Sequence, residues 1–177
     1  MNARPPQRRI VLTGFMCAGK STVARALAAR LGCAMLDTDA WIVEREGRGI
    51  EAIIEGDGEP RFRQIERDAL GGGTWASAEN RSLIAAHRCL TVWLDAPFDL
   101  CWRRIADSHD ARPLARERER ARQLYEARRA AYELAALRVE ITEGRNAEDT
   151  AAEIASIIER RNFLDEYEGR GKDKADG

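Results

Sequence analysis

Gly14-Phe15-Met16-Cys17-Ala18-Gly19-Lys20-Ser21 runs glycine, four free positions, then glycine-lysine-serine. That spacing is the signature of a phosphate-binding loop (P-loop). Successive backbone N–H groups in such a loop point inward and form a concave anion site, and the N-terminus of the following helix adds positive charge. Gly14 and Gly19 give the backbone angles and close approaches that a side chain would block. Lys20 is expected to reach the β- and γ-phosphates of a nucleotide and Ser21 to offer its hydroxyl to Mg²⁺. Cys17, Ala18 and Thr22 complete the nucleotide-binding stretch.

The flanking residues predict the elements such a loop needs. Ile10-Val11-Leu12 form a short apolar run before it, as a buried strand does. Val23, Leu27 and Leu31 recur at helical spacing after it, and Gly32 is the expected C-terminal cap. Further along, Cys33-Ala34-Met35-Leu36 reads as a second short strand ending at Asp37. Thr38 or Asp39 is expected to cap a helix running toward Gly47. Helices are expected around Ile50–Ile54, from Glu59 or Pro60 through Phe62 and Ile65, around Leu83–Ala86, and after Pro97. Leu90-Thr91-Val92-Trp93-Leu94 is the clearest strand, Val139–Ile141 the last one, and Ile154, Ile157 and Ile158 line a final amphipathic helix. Strands alternating with helices predict a three-layer α/β/α fold with a central parallel sheet, whose ligands gather beyond the C-terminal strand ends.

Composition limits the function classes. The chain has 177 residues, of which 44% are hydrophobic, enough for one domain with a core. Its 29 Lys and Arg nearly cancel its 30 Asp and Glu, so no basic footprint for nucleic acid is expected. No apolar stretch has the length of a membrane span and no secretory signal opens the chain, so a cytoplasmic protein without a membrane partner is expected. Cys17, Cys33, Cys89 and Cys101 form no C-x-x-C pair and are expected as reduced thiols, two or three of them buried. Residues 1–161 are expected to form one domain and 162–177 a polar, disordered tail.

Five further signals follow the loop in order: Asp37-Thr38-Asp39, Phe62-Arg63-x-x-Glu66, Gly71-Gly72-Gly73, Arg112-Pro113-Leu114, and Arg128 four residues before Tyr132. Together they resemble the shikimate kinase family over roughly residues 9–158. The resemblance implies a monomeric P-loop kinase that moves the γ-phosphoryl group of ATP to the 3-hydroxyl of shikimate, with Mg²⁺. It implies that Asp39 accepts hydrogen bonds from the hydroxyls and orients or deprotonates the attacking one. Arg63 and Arg128 would grip the carboxylate, Gly71, Gly72 and Gly73 would let backbone approach the ring, and Asp37 would lie near Mg²⁺, through water. Asp37 also suits a cap at a strand end. A mobile lid over about 107–119 would carry Arg112 to the phosphates, whereas Arg116–Arg122 mix signs as a solvated helix face does. Arg104 and Arg145 match positions that flank adenine.

The chain departs from that pattern twice. Cys17 stands where the family often has glycine. More seriously, seven residues, Gln64 to Leu70, separate Arg63 from Gly71. The resemblance implies a helix continuing past Arg63 and then an apolar strand, beside the strand that feeds the loop. A five-residue strand spans about 17 Å, and a helix covering that distance takes about eleven residues. Seven residues cannot hold both, so Ala69-Leu70 are expected as the remnant of a truncated or missing strand. Two alternatives therefore accompany the kinase reading: a related kinase for another hydroxy acid such as gluconate, and a nucleotide-binding module with impaired catalysis.

Overall fold

In the computed structural model, residues 9–70, 78–107 and 117–172 are described, with side chains except at 63, 66–70, 79, 83 and 162–172. Strand β1 (Ile10–Thr13) runs into the loop, and helix α1 (Lys20–Leu31) leaves it. Three helices follow: α2 (Thr38–Glu46), α3 (Ile50–Asp57) and α4 (Glu59–Leu70). After α5 (Ala78–Ala86) come β2 (Leu90–Asp95), α6 (Phe98–Asp107), α7 (Arg118–Tyr132), β3 (Leu137–Glu140) and α8 (Ala147–Lys172). Among the described residues the sheet has the order β1-β2-β3, with both pairings parallel. Ile10 lies opposite Leu90, Thr13 opposite Trp93, and Asp95 opposite Glu140. All six residues of β2 are buried, as a strand paired on both sides and covered on both faces requires. β1 lies at an edge of this described sheet.

The chain divides into two compact units, Met1–Lys20 with Leu36–Glu143, and Ser21–Met35 with Gly144–Gly177. In the first, Ile42, Ile53, Phe62 and Ile65 form a hydrophobic cluster drawn from α2, α3 and α4, with Trp41, Ile50 and Ile54 against it. A separate aromatic group, Phe15, Phe98 and Tyr125, packs with Phe15 and Tyr125 ring centroids 5.2 Å apart and nearly perpendicular. In the second unit Val23, Ala26, Leu27, Ala151, Ile154, Ala155 and Ile158 are buried.

Several boundaries match the sequence reading. Gly32 has φ 62 and Gly47 has φ 67, each closing a helix in the left-handed conformation glycine adopts without strain. Three expectations are corrected. Cys33–Leu36 is irregular rather than a strand: among the described residues it pairs with no strand, and Cys33, Ala34 and Leu36 are exposed, so little holds an extended segment in place. The cap of α2 is Asp37, whose Oδ1 accepts from the N–H groups of Asp39 at 3.1 Å and Ala40 at 3.5 Å; Thr38 and Asp39 are already helical. Ala69 and Leu70 are the last residues of α4, not a strand stub. Good helix formers fill Gln64 to Leu70, and continuing a helix satisfies each backbone group without needing a neighbour strand. Helix α8 continues past residue 161 to Lys172. No helix among the described residues is long and apolar enough to cross a membrane.

Candidate functional site

The loop is fixed by contacts from three directions. Gly14, at φ 141, lies so close to β2 that a methyl group placed on it would sit 2.6 Å from the Leu94 carbonyl oxygen. Glycine is required there by both conformation and space. Phe15 is buried at 2% exposure and packs its ring against both Phe98 of α6 and Tyr125 of α7, anchoring the loop to both. The Ala18 N–H donates to the Phe15 carbonyl at 3.2 Å, closing the turn. Lys20 Nζ donates to the carbonyl oxygens of Gly14 at 3.1 Å and Phe15 at 3.0 Å. The lysine thus folds back over its own loop, its charge held at the mouth by neutral acceptors.

Cys17 takes φ 57, a left-handed conformation that costs a side-chain-bearing residue energy and glycine none. Its carbonyl accepts from Arg104 Nη1 at 3.1 Å. Arg104 therefore touches the loop backbone rather than standing apart from it. Below, Cys101 is fully buried, its Sγ donating to the Ala96 carbonyl at 3.9 Å. Burial pushes the Cys101 thiol up to about 11, against the opposing pull of Lys20 and Arg104. One cysteine is fully buried rather than two or three; Cys17 and Cys89 are half-buried, Cys33 is exposed, and all four are free.

Asp37 is half-buried and Asp39 exposed, both at the start of α2. The cap uses Oδ1 of Asp37. Arg128, on α7, is half-buried and has no ion pair among the described residues. A guanidinium held in that state suits an anionic ligand. Ser21 and Thr22 open α1 with exposed side chains. Arg145 is paired with Glu153 at the start of α8. The α4 backbone carries Arg63, whose side chain lies outside the described residues, as do Gly71, Gly72, Gly73, Trp75 and Arg112 with most of the expected lid. From residue 118 that lid stretch is already α7, where Arg118 and Arg122 pair with Asp99 at 2.8 and 3.3 Å, the solvated helix face read from the sequence.

A network at the end of β2 was not legible in the sequence. Asp95 is 8% exposed and accepts from Arg138 Nη2 at 2.6 Å and Nε at 2.8 Å, with Arg129 Nη1 at 3.8 Å. Both arginines lie over the Trp93 ring. Tyr125 donates to the Ala96 carbonyl at 3.2 Å, and burial, with Asp95 next, raises its pKa. These contacts fix α7, and with it Arg128, against the sheet end. An acid closing an apolar strand was the available signal; its partners lie 34 and 43 residues away.

Among the described residues no three His, Cys, Asp or Glu side chains gather as a metal cage.

Comparison with known proteins agrees with this architecture. The shikimate kinase family model matches residues 16–159. Shikimate kinase of Streptomyces avermitilis is 41% identical over 166 positions, covering 85% of this chain and 95% of that protein. The Geobacter metallireducens shikimate kinase is 39% identical, covering 87% and 93%. The structure of shikimate kinase from Acinetobacter baumannii in complex with shikimate superposes with TM-score 0.81 at 32% identity, over 88% of this chain and 95% of that one. A gluconokinase from Sinorhizobium meliloti shares the fold at TM-score 0.54 and 17% identity. A family model over most of the chain, and relatives above 30% identity along nearly its whole length, leave one assignment: the chain belongs to the shikimate kinase family.

Proposed function

We propose that this chain transfers the γ-phosphoryl group of ATP to the 3-hydroxyl of shikimate. The observation that carries the proposal is a complete phosphate loop in a chain of this family, with Lys20 already folded over the loop carbonyls. On binding, the ammonium exchanges two neutral carbonyls for phosphate oxygens, a stronger charge-assisted pairing. The loop N–H groups take up the remaining phosphate charge, and Arg112 is proposed to add a second cation from the lid over 107–119. Mg²⁺, when bound, neutralises charge on the phosphates; Ser21 and, through water, Asp37 are its proposed partners. Arg104 and Arg145 are proposed on the adenine side.

Asp39 is the proposed acceptor for the proton of the attacking hydroxyl, suited by its exposed carboxylate. Arg63 and Arg128 are proposed to hold the substrate carboxylate, and Gly71, Gly72 and Gly73 to border the ring. Transfer then needs little beyond alignment and charge neutralisation, because a loose phosphoryl transition state asks for little covalent help. A cytoplasmic monomer with no nucleic-acid partner completes the reading.

A coupled ADP-release assay across shikimate, gluconate and other hydroxy acids tests it. Release that depends on shikimate is expected. Release with gluconate and not shikimate would replace the substrate assignment. ATP binding without acceptor-dependent release would replace the enzyme with a binding module.

A further inference from the structure

Arg104 meets the phosphate loop at its most strained residue. Its Nη1 donates to the Cys17 carbonyl at 3.1 Å, and a methyl group placed on Gly19 would lie 3.8 Å from the same nitrogen. It therefore lies along the loop between its strained turn and the second glycine of the motif. Cys17 itself sits at φ 57, where glycine is at ease and cysteine is not. The Ala18-to-Phe15 backbone bond closes one side of that turn; the guanidinium closes the other.

We propose that Arg104 is a positioning residue for the phosphate loop, holding the left-handed turn at Cys17 so that the loop N–H groups are aimed before a triphosphate arrives. This role goes through the backbone and is independent of the base. It compensates, within this chain, for a cysteine where glycine would hold the turn unaided. The proposal rests on the reading of the loop as a nucleotide site.

The test is a double-mutant cycle read by titration calorimetry. Wild type, Arg104→Met, Cys17→Gly and the double variant are titrated with Mg²⁺-ATP and with Mg²⁺-tripolyphosphate, which has no base. Arg104→Met is expected to weaken tripolyphosphate about tenfold, the size of a lost charge-assisted hydrogen bond, and ATP at least as much, because Arg104 is also proposed on the adenine side. In the Cys17→Gly background the same change should cost less than about threefold, because the two residues are coupled through the turn. Arg104→Lys, which keeps the charge and loses the planar fork, should show an intermediate loss for both ligands and guards against misfolding of the methionine variant. A loss confined to ATP would overturn the proposal and assign the arginine to the base. Equal losses in both backgrounds would overturn it in favour of simple charge attraction. Wild type that binds neither ligand would remove the nucleotide-site reading itself, and this proposal with it.

Discussion

The nucleotide side and the acceptor side of the first unit are built differently. The loop is bound to a buried strand through Gly14, to two helices through Phe15, and to α6 through Arg104. The proposed acceptor side, with Asp39 on α2 and Arg63 on α4, rests on a three-helix cluster closed on Ile42, Ile53, Phe62 and Ile65, and among the described residues no strand leads out of it. Geometry on the first side is over-determined. On the second, Asp39 and Arg63 depend on one small hydrophobic cluster, while Arg128 is held separately through α7. A deletion before Gly71 can therefore disturb acceptor binding while leaving phosphate binding alone.

The sharpest test of the nucleotide side is Lys20→Ala, expected to lower turnover about a thousandfold, the loss typical of removing a preorganised cation from a transferring phosphoryl group. A steady-state rate within tenfold of wild type would break the assignment. Asp39→Asn should cost about a hundredfold or more in the transfer rate, the usual share of a proton acceptor, while calorimetry shows ATP affinity within about twofold. A matched fall in ATP affinity would mean that the two sides are not separable.

Phe62→Ala probes the cluster directly. It should destabilise the protein by about 3–5 kcal/mol and raise the acceptor KM, with the KM for ATP little changed. Loss of both in parallel would show one cooperative unit. The smallest effect expected is chemical. At pH 8, where a thiol near 11 stays protonated, iodoacetamide should modify exposed Cys33 first and Cys101 last, and ATP should slow labelling of Cys17; peptide mass spectrometry reads all three. Above pH 9 the unfolded Cys101 ionises while the folded one does not, so this residue should draw stability down between about 9 and 11.

The loop was legible because its chemistry is local: eight consecutive residues specify the turn, the charge and the helix start. β2 was legible because a strand buried on both faces reads as a nearly continuous apolar run, here broken only by Thr91 before the closing Asp95. Cys33–Leu36 misled because short apolar runs look alike whether or not a partner strand exists, and partnership is not written locally. Asp37 took the capping role from its neighbours because an Asx side chain one residue before the first helical turn reaches two N–H groups at once. The spacing argument before Gly71 correctly excluded a helix and a strand together, but propensity decided which survived, and the helix took every residue to Leu70. Asp95 and its arginines stayed hidden because ion pairs across 34 and 43 positions leave no mark in a single sequence.

At Gly14 there is no room for a methyl group beside the Leu94 carbonyl. Any other residue there must push the first turn of the loop away from β2, so the chain has a single admissible spelling at the point where β1 ends.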